Sequence, residues 1–169
     1  MKNKIIIMVQ VLLVSIALPS LAQANICLNI NLPSNPDYVF NDDLFIYSDD
    51  GTPIAANTMT PTTPAGPNGY PTIIFVNSWV IDEHEYLVQA AQFAKKGYQV
   101  LSYSARGWGC SGGLVNVTGE DDMMDVTAVL DWLQLNTDAD MDNIGISGIS
   151  YGSGMALMGV AHDTRPDCD

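Results

Sequence analysis

Basic side chains are scarce in this sequence: six lysines and arginines stand against 19 aspartates and glutamates, a net charge of −13 at neutral pH. So acidic a surface repels phosphate backbones and anionic headgroups, which excludes nucleic acid and anionic lipid as partners. Histidine is scarcer still, with only His84 and His162, and the three cysteines Cys27, Cys110 and Cys168 are far apart. Neither type recurs at the spacing of a zinc site, so no metal is expected. An odd cysteine count leaves two arrangements open, one pair with a free thiol or a bond to a partner outside this chain. Long apolar runs are missing except at the N-terminus. There Met1-Lys2-Asn3-Lys4 precedes the almost wholly apolar Ile5 to Leu18, and Ala22-Gln23-Ala24 follows as a small-x-small cleavage pattern. The run is shorter than the roughly 20 residues a membrane span needs. Residues 1–24 therefore read as a signal peptide cut near Ala24, with no stable membrane anchor and a secreted or periplasmic mature chain. Its removal takes Lys2 and Lys4 and makes the charge two units more negative.

What is present is an alternation of apolar runs. Residues 25–43 are polar and turn-rich and read as an irregular lead-in; Leu44 to Tyr47 and Pro53 to Met59 read as strands joined at Asp50-Gly51, a hairpin signal. Thr60 to Tyr70, with three prolines and two glycines, reads as a loop. Thr72 to Val76 and Gln99 to Tyr103 are continuous apolar or β-branched runs of the kind buried on both faces of a parallel sheet. Between them Asp82, with Glu85 three residues on, is expected to cap a helix carrying Leu87, Ala90, Ala91 and Ala94 on one face, with Lys95 and Lys96 at its end and Gly97 as its stop. Thr118-x-x-Asp121 opens a second helix with Val126, Val129, Leu130 and Leu133 at helical spacing. The acidic cluster Glu120, Asp121, Asp122 and Asp125 in its first turns reads as a solvated face matched to the helix dipole.

The alternation implies a mostly parallel sheet with flanking helices, in which ligands bind beyond the carboxyl ends of the strands. At such an end stands Gly148-Ile149-Ser150-Tyr151-Gly152, a G-x-S-x-G pattern between a strand and a helix rich in small residues. A serine there is exposed at the tip of a sharp turn, and the following helix aims backbone N–H groups at it. The plain alternative is a glycine-serine turn without chemistry. A second pattern, Gly107-Trp108-Gly109-Cys110-Ser111-Gly112, matches G-x-G-x-x-G, but Gly113 to Thr118 intervene before any helix, which argues against a dinucleotide site and against any cofactor. Ser111 is expected to pack the loop.

Taken together, Tyr103 to Gly113, the helix ending in Leu130-Asp131-Trp132-Leu133 and Ile144 to Gly152 resemble the Xaa-Pro dipeptidyl-peptidase and cocaine-esterase-like group of α/β-hydrolases, as does the early Asp49-Asp50-Gly51-Thr52-Pro53-Ile54. The resemblance spans about residues 44–165. It implies the α/β-hydrolase fold and a serine hydrolase acting on a small-molecule or peptide substrate with an acyl carbonyl. In it Ser150 attacks an ester or amide, the backbone N–H of Tyr151 is one oxyanion donor, and Ser78 or Trp79 in Asn77-Ser78-Trp79 supplies the other. Two positions depart from the group: Trp79 stands where many relatives carry a tyrosine hydroxyl, and Ser104 where many have an aspartate. In this fold the acid and the histidine of the triad follow the serine. Only His162 does so, and along a helix it lies roughly 18 Å from Ser150, too far to act as base. His84 is expected to pack a loop. The chain is therefore read as the N-terminal half of the fold, a fragment that ends after the nucleophile helix. Residues 25–169 alone are expected to be unstable or oligomeric and inert, and the alternative function is a non-enzymatic protein of hydrolase ancestry. Acyl group, cysteine pairing and oligomeric state are left open.

Overall fold

A computed structural model describes residue 27 and residues 29–166. The expected signal peptide and Cys168 lie outside the described residues. The element order is β1 Tyr38–Tyr47, β2 Pro53–Pro61, β3 Tyr70–Val76, α1 Leu87–Ala94, β4 Gln99–Tyr103, α2 Glu120–Asn136, β5 Ala139–Gly148 and α3 Tyr151–His162. That is the order the sequence predicts.

The five strands form one mixed sheet in the order β1-β2-β4-β3-β5. The hairpin β1–β2 is antiparallel and β2 runs antiparallel to β4, while β3 pairs in parallel with both β4 and β5. Because each strand presents alternate side chains to opposite faces, β3 serves two cores. Ile74 and Val76 pack with Leu101, Val126, Leu130, Leu133 and Met155 under α2 and α3. Phe75 packs on the other face with Tyr86, Ala90 and Val100 under α1. The chain steps from β3 to β4 in one direction and then crosses back to place β5 on the other side of β3. That reversal makes the carboxyl ends of β3 and β5 the crevice of the sheet. Val76 pairs with Gly148 there. The outer edge of β5 is unpaired among the described residues.

Three expectations are corrected. Strand β1 starts at Tyr38, inside the span read as irregular lead-in; Asn41, Asp42 and Asp43 interrupt its apolar side chains at a bulge, where the register shifts between Asn41 and Leu44, Asn41 and Asp43 are exposed and Asp42 is held against His84. Helix α1 starts at Leu87 with no side-chain cap, because Asp82 accepts the His84 N–H within a turn and Glu85 reaches back to Ser78. Its end is as expected, with Gly97 at φ 90°. The acidic start of α2 is only partly a solvated face. Glu120 is exposed and Asp121 partly so, whereas Asp122 and Asp125 are fully buried. Cys27 and Cys110 form a disulfide, which fastens the chain before β1 to the glycine-rich loop.

Candidate active site

Ser150 follows the last residue of β5 by two positions and caps α3 with φ 55° and ψ −114°, a region that L-residues with a side chain rarely occupy. Holding it there costs of order 1–3 kcal/mol, so the surroundings must over-determine it. Both flanking glycines are required by space. A Cβ on Gly148 would lie 2.6 Å from the Gly152 carbonyl carbon and 2.7 Å from the Val76 oxygen, and one on Gly152 would lie 2.2 Å from that same oxygen. The turn is thus pressed against the end of β3, and Ser150 is exposed at its tip.

Tyr151 begins α3, and its N–H has no acceptor among the described residues, as the first N–H of a helix must. It is free to face an anion beside Ser150. The Tyr151 side chain points the other way, into the core, where its hydroxyl donates to Asp122 Oδ2 at 2.9 Å. Burial foremost, with the Asp122 charge, pushes the phenol well above its ordinary range. Asp122 also accepts the Thr118 N–H at 2.7 Å, and burial raises its own pKa.

Of the two candidate second donors, Ser78 is occupied. Its N–H and hydroxyl donate to the two carboxylate oxygens of Glu85 at 2.6 and 2.8 Å. Trp79 is half exposed and meets Tyr151 and Trp108 edge-on, with ring centroids 5.5 and 4.8 Å apart. The loop that carries it is shaped by buried Asn77, whose amide donates to the carbonyls of Ser78 and Ile81 and whose oxygen accepts the Ala105 N–H. Val80, at φ 73°, completes the turn from Ser78 to Ile81.

Tyr86 is a residue that sequence reasoning missed. Its hydroxyl accepts the Ile149 N–H at 2.8 Å, and its ring stacks on Phe75 at 4.7 Å, which pins the turn from the α1 side. Only a tyrosine at the expected helix start could have signalled it. Arg106 is buried in the glycine-rich loop, where it holds Asp125 through both carboxylate oxygens at 2.7 and 2.8 Å and reaches Asp50 at 3.1 Å. Ser111 packs that loop as expected: its hydroxyl donates to the Ser104 carbonyl and accepts the Ala55 N–H. Ser104 in turn hydrogen-bonds both the backbone N–H and the carboxylate of buried Glu83.

Among the described residues neither histidine hydrogen-bonds Ser150. His162 ends α3, and His84 is held between Asp42 at 2.8 Å and Asp82 at 3.2 Å. A cavity of about 670 Å³ lies between α2 and α3, lined by Thr118, Met123, Met124, Met158 and His162 among others, and Ser150 does not line it. No helix of the described residues is long and apolar enough to cross a membrane.

A mixed sheet flanked by helices, with a strained serine turn at the switch point, has the architecture of an α/β-hydrolase, and solved structures agree. An acetyl xylan esterase from a Paenibacillus species superposes with a TM-score of 0.64 at 20% identity over 76% of this chain and 50% of its own. A hypothetical protein from Pseudomonas aeruginosa gives 0.67 at 22% identity over 80% of this chain and 42% of its own. An esterase from Pyrococcus furiosus gives 0.60 at 22% identity over 83% and 54%. The chain thus spans about half the length of these structures. A family model, X-Pro dipeptidyl-peptidase (S15 family), matches residues 50–168, and the chain belongs to that family. No curated protein matches it.

Proposed function

We propose that this chain carries the nucleophile half of an exported serine hydrolase acting on an ester or amide, with Ser150 as nucleophile. The observation that carries the reading is the backbone of Ser150 at φ 55° and ψ −114° between two glycines that admit no Cβ. Such a turn exposes the hydroxyl and has few uses besides attack. In the proposed reaction Ser150 Oγ adds to the acyl carbonyl and loses its proton to a histidine base. The oxyanion is met by the Tyr151 N–H at the positive end of α3 and by a donor from Trp79. The acyl-enzyme then forms as the alcohol or amine leaves. Trp79, with exposed Val80 and Ile81 on its loop and exposed Ile149 next to the serine in the chain, favours a substrate with an apolar acyl or ring group. Export is part of the proposal. It rests on the leader pattern of residues 1–24 and is supported by the Cys27–Cys110 disulfide, since such bonds persist in oxidising compartments.

The acid and the base are proposed to lie on polypeptide outside this chain, which pairs with the free edge of β5 and covers the half-exposed Met158 and exposed Leu157 of α3. A hydroxyl without a base is a weak nucleophile, so the 169-residue chain alone is inert. The test is to sequence the gene past the codon for Asp169 and to assay p-nitrophenyl acetate hydrolysis by both the 169-residue chain and any longer product. Turnover by the longer product that S150A abolishes is expected. Turnover that survives S150A overturns the nucleophile, and turnover by the 169-residue chain overturns the need for an outside base. A second reading, a non-enzymatic protein of hydrolase ancestry, is favoured by one observation: neither histidine hydrogen-bonds the serine among the described residues. An authentic stop codon after Asp169 would select it.

A further inference from the structure

We propose that the start of α2 binds one internal water molecule, hydrogen-bonded between the Tyr103 hydroxyl and Asp122 Oδ1. The two side chains are closed to solvent, at 1% and 0% exposure, and neither of these atoms has a hydrogen-bond partner among the described residues. Each has given up its hydration without a protein group in exchange, which folded proteins ordinarily do not tolerate. A single water between them satisfies both.

The fold brings the two atoms to one place. Tyr103 leaves the end of β4 on the same face as Leu101, and its ring joins Met123, Val126 and Tyr151 in the core under α2 and α3. Asp122, one residue before Met123 in the first turn of α2, points into the same core, where its Oδ2 accepts the Tyr151 hydroxyl at 2.9 Å and the Thr118 N–H at 2.7 Å. Both protein donors thus go to one oxygen of the carboxylate, and Oδ1 receives none. The neighbours are committed as well: Arg106 holds Asp125 through both of its oxygens, and the Tyr151 proton is given to Oδ2. Burial foremost, with the Asp125 and Asp122 charges, holds the Tyr103 phenol well above its ordinary range, so the hydroxyl keeps a proton to donate. The phenol is near enough to feel the Asp122 charge yet makes no bond to it, a separation that one water spans. Buried waters make two to four hydrogen bonds to groups of this kind, whereas apolar cavities stay dry. The resulting chain, Tyr103 to water to Asp122 to Tyr151, ties the end of β4 to the first residue of α3, and it stands whether or not Ser150 is a nucleophile.

The experiment pairs a high-resolution crystal structure of the 169-residue chain with urea unfolding of Y103F. Density for one water within about 3.2 Å of both the Tyr103 oxygen and Asp122 Oδ1 is expected. Removing the hydroxyl takes a partner from that water and weakens its hold on Oδ1, so Y103F is expected to lower the folded-to-unfolded ratio about fivefold or more. Y47F, on a ring that is 67% exposed, is the control and leaves the ratio unchanged. An unpaired hydroxyl gives the opposite sign, because deleting it then relieves an uncompensated burial. Y103F as stable as the wild type or more so overturns the proposal, and so does a crystal structure with a direct Tyr103–Asp122 hydrogen bond or with no density between the two. Should Y103F fail to fold, the density in the wild type decides.

Discussion

Replacing Gly152 by alanine is the sharpest perturbation of the serine turn. The added methyl would lie 2.2 Å from the Val76 carbonyl oxygen, 3.1 Å from the Val76 carbonyl carbon and 3.1 Å from the Asn77 oxygen. All three are backbone atoms, so no side chain can swing away. Ordinary contact is about 3.5 Å, and α3 must therefore retreat from β3 by more than about 1 Å. Val76 cannot follow, because its strand is held by β4 on one side and β5 on the other. Overpacking costs about 1–3 kcal/mol, and a clash of backbone on backbone belongs at about 3 kcal/mol, a large share of the roughly 5–15 kcal/mol of a domain. The control is Gly145 in β5, where a Cβ meets nothing within 4 Å. There alanine is expected to be neutral or to stabilise by up to about 1 kcal/mol, since it removes freedom from the unfolded chain. Urea unfolding followed by tryptophan fluorescence, or a melt in which G152A falls by roughly 6–12 °C, measures both. Equal stability of G152A and G145A would refute the claim that contact with β3 dictates the glycine.

Two further outcomes follow from buried charges. R106A strips Asp125 of its bidentate partner in a site that is 0% exposed, and a loss of about 3–5 kcal/mol in unfolding free energy is expected, with R106K losing less because the charge remains. Asp122 gives a pH dependence: burial raises its folded pKa above 3.8, so the stability it contributes is fully present below the unfolded pKa and is lost as pH rises through the folded one. D122N, which cannot titrate, should therefore gain on the wild type across that window in urea midpoints, and parallel pH profiles would count against the assignment.

The order of elements was legible because each rests on local periodicity, and the serine turn because its glycines stand two residues either side of Ser150. What was not legible depends on partners remote in sequence. Asp122 and Asp125 looked solvated because Tyr151 lies 29 residues and Arg106 19 residues away. Glu85 looked like half of a capping box, but Ser78 offered it two donors where the helix start offered one. Tyr38 to Asp43 looked irregular because Asn41, Asp42 and Asp43 interrupt its apolar side chains, and Asp42 is covered by His84, 42 residues away. Ser78 and Trp79 stood as equal candidates for the oxyanion until the Glu85 carboxylate claimed the first.

The strain at Ser150 is held by three contacts, each from a different part of the fold. Backbone of β3 meets Gly148 and Gly152 from within the sheet, Tyr86 takes the Ile149 N–H from the α1 side, and Asp122 takes the Tyr151 hydroxyl from α2. Two of the three come from hydrogen bonds worth about 1 kcal/mol each and the third from close packing. Together they match a cost of order 1–3 kcal/mol for the backbone. All of these contacts fall within residues 76–152. Shape and reactivity are separable here: contacts within the described residues build the elbow, and none of those contacts brings a base to its serine.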